Sequence, residues 1–193
     1  MKKQLIFFSF LISFFVSLPS YATHLIGGNL GYEFIGITPS NEYQFKIILI
    51  TYTNCGPGSN VPEPEGPNLT VGIYQHDIQN DPLGGVDKLW VQDVTITLVD
   101  SNQIQPNLPG GCSVGASTCI YKGVYEGIVT LPLNFTGYHV LYERCCRNNS
   151  IVNLIPQESM TFHTYISPPL LQNTSPQFTD DPIPFLCIGD TTT

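Results

Sequence analysis

The residues with the most definite chemistry are six cysteines, Cys55, Cys112, Cys119, Cys145, Cys146 and Cys187. An even set in an oxidising compartment reads as a disulfide framework, and spacing alone leaves many pairings open. Cys112 and Cys119 flank a short run of small residues, Ser-Val-Gly-Ala-Ser-Thr, so they are expected to close a local loop. Cys145 and Cys146 are adjacent at the end of a strand-like run. Neighbouring side chains on a strand point to opposite faces, so these two need different partners, expected in Cys55 and Cys187 in an order left open. A zinc site is disfavoured because the C-x-x-C spacing of structural zinc ligands is absent.

Other reactive residues carry weaker signals. Gly111-Cys112-Ser113-Val114-Gly115 matches the G-x-S-x-G pattern of a hydrolase. That motif works only where a strand enters a sharp turn and then a helix, whereas here it lies in a Gly-rich loop followed by a strand, so Ser113 is not expected to be a nucleophile. His24 near the start, with His76, His139, His163 and many tyrosines, resembles the ligand inventory of a copper centre built on an N-terminal histidine. Such a centre needs cleavage after Thr23, but the small residues favour cleavage after Ala22, so no metal or other cofactor is expected. Asp77, Asp81 and Asp87, and again Asp180 and Asp181, are loop carboxylates of the kind that ligate calcium, without an EF-hand pattern. Arg144 and Arg147 flank the adjacent cysteines, and the expected role for them is pairing with a carboxylate such as Glu143 or Glu126. Trp90 and the ten tyrosines are the candidates for a flat surface on which a sugar ring stacks. Tyr32, Tyr74 and Tyr165 are the least clearly assigned to a core.

These residues belong to a chain of 193 with a net charge of −8. Loss of Lys2 and Lys3 with a leader makes the rest more acidic, which argues against nucleic acid or an anionic membrane as partner. Lys2 and Lys3, the apolar run Leu5 to Leu18 and Ser20-Tyr21-Ala22 together read as a signal peptide over residues 1–22. The apolar run is too short to span a bilayer, and no second run of spanning length follows. Export to the cell surface or extracellular space, with the periplasm as an alternative, is the expected localisation.

Only 11% of residues are charged, while 17 Gly and 16 Pro punctuate the chain, a composition poor in long amphipathic helices and rich in strands and turns. Eight runs of β-branched and aromatic residues are expected strands: Gly28 to Ile37, Tyr43 to Thr53, Leu69 to Tyr74, Lys88 to Val99, Ile120 to Leu131, Phe135 to Cys146, Ile151 to Ile155 and Met160 to Ser167. Alternation nominates a buried face: Tyr43, Phe45, Ile47 and Leu49; Trp90, Val94, Ile96 and Leu98; Tyr121, Tyr125, Val129 and Leu131; Met160, Phe162 and Ile166. Thr38-Pro39-Ser40-Asn41 reads as a turn, and Pro132-Leu133-Asn134 as a hairpin connection. Long irregular stretches, Gly56 to Asn68 and Ser101 to Thr118, separate the strands. The expected architecture is an all-β, antiparallel, immunoglobulin-like sandwich with long Gly/Pro-rich loops and disulfides over residues 23–167, a closed barrel being the alternative. Residues 168–193 are expected to be a Pro-rich linker or the truncated start of a following domain.

Four elements occur in order: Thr23-His24-Leu25-Ile26-Gly27-Gly28, Ile50-Thr51-Tyr52-Thr53-Asn54-Cys55, Glu143-Arg144-Cys145-Cys146-Arg147-Asn148 and Pro182-Ile183-Pro184-Phe185-Leu186-Cys187. The set resembles the N-terminal module of large multidomain Bacteroidetes surface proteins, which continue into PKD-like repeats and a gliding-motility-associated or type IX sorting domain. The similarity covers the whole chain after the leader, and Arg-Cys-Cys-Arg-Asn is its most specific part. Such modules commonly carry Tyr-Arg-Asp-Cys where this chain has Tyr52-Thr53-Asn54-Cys55, so no role of that Arg and Asp is carried over. The resemblance implies a non-enzymatic adhesive or display module of a surface protein, with a surface polysaccharide, a protein ligand or following domains of the same polypeptide as partners. A carbohydrate-binding module is the alternative reading.

Overall fold

The computed structural model describes residues 25–55, 65–76, 88–104, 119–145, 158–168, 172–178, 180 and 181. The leader, His24, the Ser113 loop, the expected strand Ile151 to Ile155, and Cys112, Cys146 and Cys187 lie outside them. Seven strands are present: β1 (Leu25–Ile37), β2 (Tyr43–Asn54), β3 (Asn68–His76), β4 (Lys88–Ile104), β5 (Ile120–Leu131), β6 (Tyr138–Arg144) and β7 (Met160–Ile166). Every pairing is antiparallel, and no helix occurs among the described residues.

The strand order β1-β2-β5-β4-β3-β6-β7 is that of an immunoglobulin-like sandwich in which one strand serves both layers. That strand is β4. Its first part, up to Thr97, pairs with β3, and its second part, from Thr97 to Ile104, pairs with β5. Strands that pass from one layer to the other turn the corner at bends and bulges, and β4 has register shifts opposite Ile73/Tyr74 and between Leu98 and Asp100.

The two inner faces form one core. Phe45, Ile47 and Leu49 of β2 and Tyr125, Val129 and Leu131 of β5 meet Val71 and Ile73 of β3 and Tyr138, Val140 and Tyr142 of β6. The β2 and β5 residues among them are positions the period-two alternation nominates, because only one face of each half-exposed strand is removed from water. Trp90 is the correction: it is 61% exposed. Register runs from Ile73 opposite Gln92 directly to Tyr74 opposite Trp90, so Val91 is an extra residue in β4. A bulge of this kind reverses the alternation beyond it, and Val91 packs on the core while Trp90 turns outward.

The first turn forms as expected. Asn41 adopts a left-handed conformation with φ of 67°, and its N–H donates to the Thr38 carbonyl at 2.9 Å. The Pro132-Leu133-Asn134 connection differs from the hairpin reading. β5 and β6 do not pair; the chain here crosses between layers. Tyr138 at the start of β6 donates its hydroxyl back to the Pro132 carbonyl at 2.9 Å, the tyrosine-corner arrangement of immunoglobulin-like sandwiches. Asn134 Oδ1 accepts from the Thr136 N–H at 2.8 Å. Gly137, with φ of 67°, supplies the remaining twist.

The cysteine pairing also differs from expectation. Cys55 is bonded to Cys119, joining the end of β2 to the start of β5, so Cys119 is not the partner of Cys112, nor Cys55 of Cys145 or Cys146. β2 and β5 are already neighbours in register up to Asn54 opposite Ile120, which brings the next residues within bridging distance; sequence proximity is not required. Cys145 is likewise disulfide-bonded.

Residues 174 and 175 cover the free edge of β1. The Ser175 N–H donates to the Tyr32 carbonyl at 2.9 Å, Tyr32 N–H donates to Ser175 Oγ, and Phe34 N–H donates to Thr174 Oγ1. An uncovered edge invites pairing with another chain. Two outcomes follow. Replacing both Cys55 and Cys119 by Ser is expected to lower stability by about 4 kcal/mol in denaturant titrations, from the loop-entropy of a 64-residue separation. Tyr138→Phe is expected to lower it by about 1 kcal/mol, the net worth of one hydrogen bond, with unchanged circular dichroism.

Candidate functional site

On the outward face of β4-β3-β6-β7, register places four rings in one row across four strands. Trp90 is opposite Tyr74, Tyr74 opposite His139, and His139 opposite Tyr165. Three strand spacings of about 4.8 Å make this row roughly 14 Å long. Trp90 and Tyr165 are exposed, at 61% and 42%. The row exists because the Val91 bulge moves Trp90 to the face that Tyr74, His139 and Tyr165 already occupy.

Neighbouring residues fix the ring orientations. A Cβ on Gly72 would lie 2.7 Å from the Tyr74 ring, so the ring lies flat across the strand where Gly72 leaves room. The Trp90 indole N–H donates to Asp93 Oδ1 at 3.0 Å. Asp93 is the register partner of Gly72, so both rings lean toward the same end of the face. The Tyr165 hydroxyl donates to the Thr136 carbonyl at 2.8 Å, and its ring centre is 5.0 Å from that of His139.

His139 Nδ1 and His163 Nε2 are 2.8 Å apart. With ring planes 21° apart, one neutral imidazole donates and the other accepts. Burial holds both below the ordinary histidine range, with Lys88 adding to the effect; His139 is pushed down to about 4, with His163 and His76 contributing. Neutral imidazoles are hydrogen-bonding groups that a polyhydroxylated ligand can use as donor or acceptor.

The remaining candidates have structural roles. Arg144 meets neither Glu143 nor Glu126; its Nε is 2.9 Å from Glu65, a carboxylate whose side chain is 3% exposed. Glu65 also accepts the Tyr142 hydroxyl at 2.6 Å, and burial together with this contact pushes the Tyr142 hydroxyl far above its usual range. Glu126 pairs with Lys46. Asp181, expected among calcium-type carboxylates, accepts from the Tyr52 hydroxyl and from Lys122. Burial and this carboxylate push Tyr52 up to about 12. The adjoining cleft of about 400 Å³, lined by Gly28, Ile50, Tyr52, Lys122, Phe178 and Asp181, thus has its cation neutralised by the chain's own later segment. Asp77, Asp81, Asp87 and Arg147 lie outside the described residues. No cluster of three or more His, Cys, Asp or Glu side chains arranged for a metal occurs among the described residues.

Of the tyrosines left open, Tyr32 is core at 2% exposure, while Tyr74 and Tyr165 are on the outer face. His139 and His163 as a contacting pair are visible only in the register of β6 and β7. Compared with known proteins, the chain matches no family model, and no curated protein matches it.

The histidine pair makes stability pH-dependent in a defined sense. An unfolded imidazole titrates near 6.5, and His139 is held at about 4 in the folded chain, so the unfolded state binds this proton more tightly. Stability is at its full value above about pH 6.5 and declines as pH falls from there to about 4. Thermal midpoints measured across that window should fall less steeply for His139→Gln than for the parent protein; parallel profiles would contradict the assignment.

Proposed function

We propose that this chain is a non-enzymatic, exported binding module that holds a carbohydrate against the outer face of β4-β3-β6-β7. The observation that carries the reading is the row Trp90–Tyr74–His139–Tyr165, with half-buried Tyr74 and His139 between exposed Trp90 and Tyr165. A sugar ring presents C–H groups on its faces and hydroxyls at its rim. Flat aromatic surfaces take the former, and imidazole and carboxylate groups at their margins take the latter. A row of roughly 14 Å suits an oligosaccharide rather than a single sugar.

The oxidised cysteines agree with an oxidising, exported setting, and no helix among the described residues is long and apolar enough to cross a membrane. The resemblance to N-terminal modules of Bacteroidetes surface proteins supports cell-surface display, in which glycan contact contributes adhesion. Rigid display of neighbouring domains is a second reading, favoured by the Cys55–Cys119 bridge and by the segment bonded along the edge of β1.

Trp90 is the single tryptophan of the chain and is exposed, so its fluorescence reports directly on this face. Titration with surface polysaccharides is expected to shift or quench its emission. Trp90→Ala is expected to weaken binding in calorimetry by about tenfold or more, the loss typical of a central aromatic contact, with the thermal midpoint little changed. Binding unaltered by Trp90→Ala and by Tyr165→Ala would remove the proposal.

A further inference from the structure

The charges around the row define the ligand more narrowly. Lys46, Lys122 and Arg144 each meet a carboxylate. Lys88, among the described residues, has no such partner. It stands opposite His76 in the register of β3 and β4, on the same face as the aromatic row and next to it. Its charge reaches both His139 and His163. One side of the row is therefore bordered by Lys88 and His76, while His139 stands in the row and His163 on its other side. Among the described residues, the carboxylates of this face, Asp93 and Glu143, lie on the side of the row away from Lys88, and Asp93 is engaged by the Trp90 indole N–H.

We infer that the face is built for a uronate-containing oligosaccharide, whose sugar rings lie on Trp90 and Tyr74 while one carboxylate is held by Lys88. The inference rests on the glycan reading and specifies its chemical class. A sugar carboxylate stays ionised at neutral pH and lies at the rim of the ring, where Lys88 borders the aromatic surface. One cation matches a single carboxylate. A densely sulfated chain needs several cations and would meet the net charge of −8 beyond this spot. Lysine suits the task, because its ammonium is a compact charge on a flexible stem that adapts to a carboxylate at the ring's edge.

The experiment is calorimetry of the whole exported chain against a panel of uronate oligosaccharides, their methyl esters, neutral oligosaccharides and sulfated ones. At least one uronate oligosaccharide should bind, about tenfold or more tightly than its ester, and the preference should shrink as salt is raised. Lys88→Gln is expected to bring the acid and the ester to similar affinity, and Lys88→Arg to keep the acid preferred. Trp90→Ala is expected to weaken both forms together. If esters or neutral oligosaccharides bind as tightly as the acids, or Lys88→Gln leaves the preference intact, the uronate inference fails while the glycan reading stands. Stronger binding of sulfated chains overturns it as well. If no carbohydrate in the panel binds, both fail.

Discussion

Strand β4 belongs to both layers of the sandwich, and the rest of the architecture depends on that double membership. Backbone donors and acceptors in a buried sheet must be paired, and β4 satisfies them first with β3 and then with β5. The change of partner forces the bend that folds one continuous sheet of seven strands over itself. Phe45 and Leu49 are thereby brought against Val71 and Val140, and the core closes. The Val91 bulge belongs to the same strand. It lets β4 keep pairing with β3 while reversing which side chains face water, and so delivers Trp90 to the outer face.

Around that strand, each place where regular pairing ends is secured by a specific interaction. The Cys55–Cys119 bridge extends the β2–β5 ladder by a covalent rung. Tyr138 fastens the crossing between layers. Glu65 ties the stretch before β3 to Tyr142 and Arg144 at the end of β6, a buried carboxylate supported by two partners of suitable chemistry. Thr174 and Ser175 satisfy polar groups on the outer edge of β1, and Asp181 neutralises Lys122 nearby. These contacts all lie away from the aromatic row.

Under the proposed glycan reading, the row would act as a rigid surface. Its residues stand on strands rather than loops, so spacing and orientation are set by the sheet before any ligand arrives, and little conformational entropy remains to be lost on binding. Tyr74 flat over Gly72, and Trp90 held by Asp93, present their faces in fixed directions. The coupled imidazoles of His139 and His163 supply polar contacts in the middle of an otherwise aromatic surface.

Composition and alternation made the fold class legible. Sparse charge and abundant Gly and Pro left strands as the economical structure. The period of two in Phe45, Ile47 and Leu49, or in Tyr125, Val129 and Leu131, named a buried face correctly, because the local pleat sends alternate side chains to one face of a strand. The same rule misplaced Trp90, since a bulge shifts the period by one residue and is decided by what the neighbouring strand offers. Local reasoning likewise paired Cys119 with Cys112, where the β2–β5 register had already brought Cys55 alongside. It also matched Arg144 with carboxylates near in sequence, whereas Glu65 reaches it through space. Which residues alternate was written in the chain; which strands became neighbours, and so which rings, imidazoles and sulfurs met, was decided only when β4 joined the two layers.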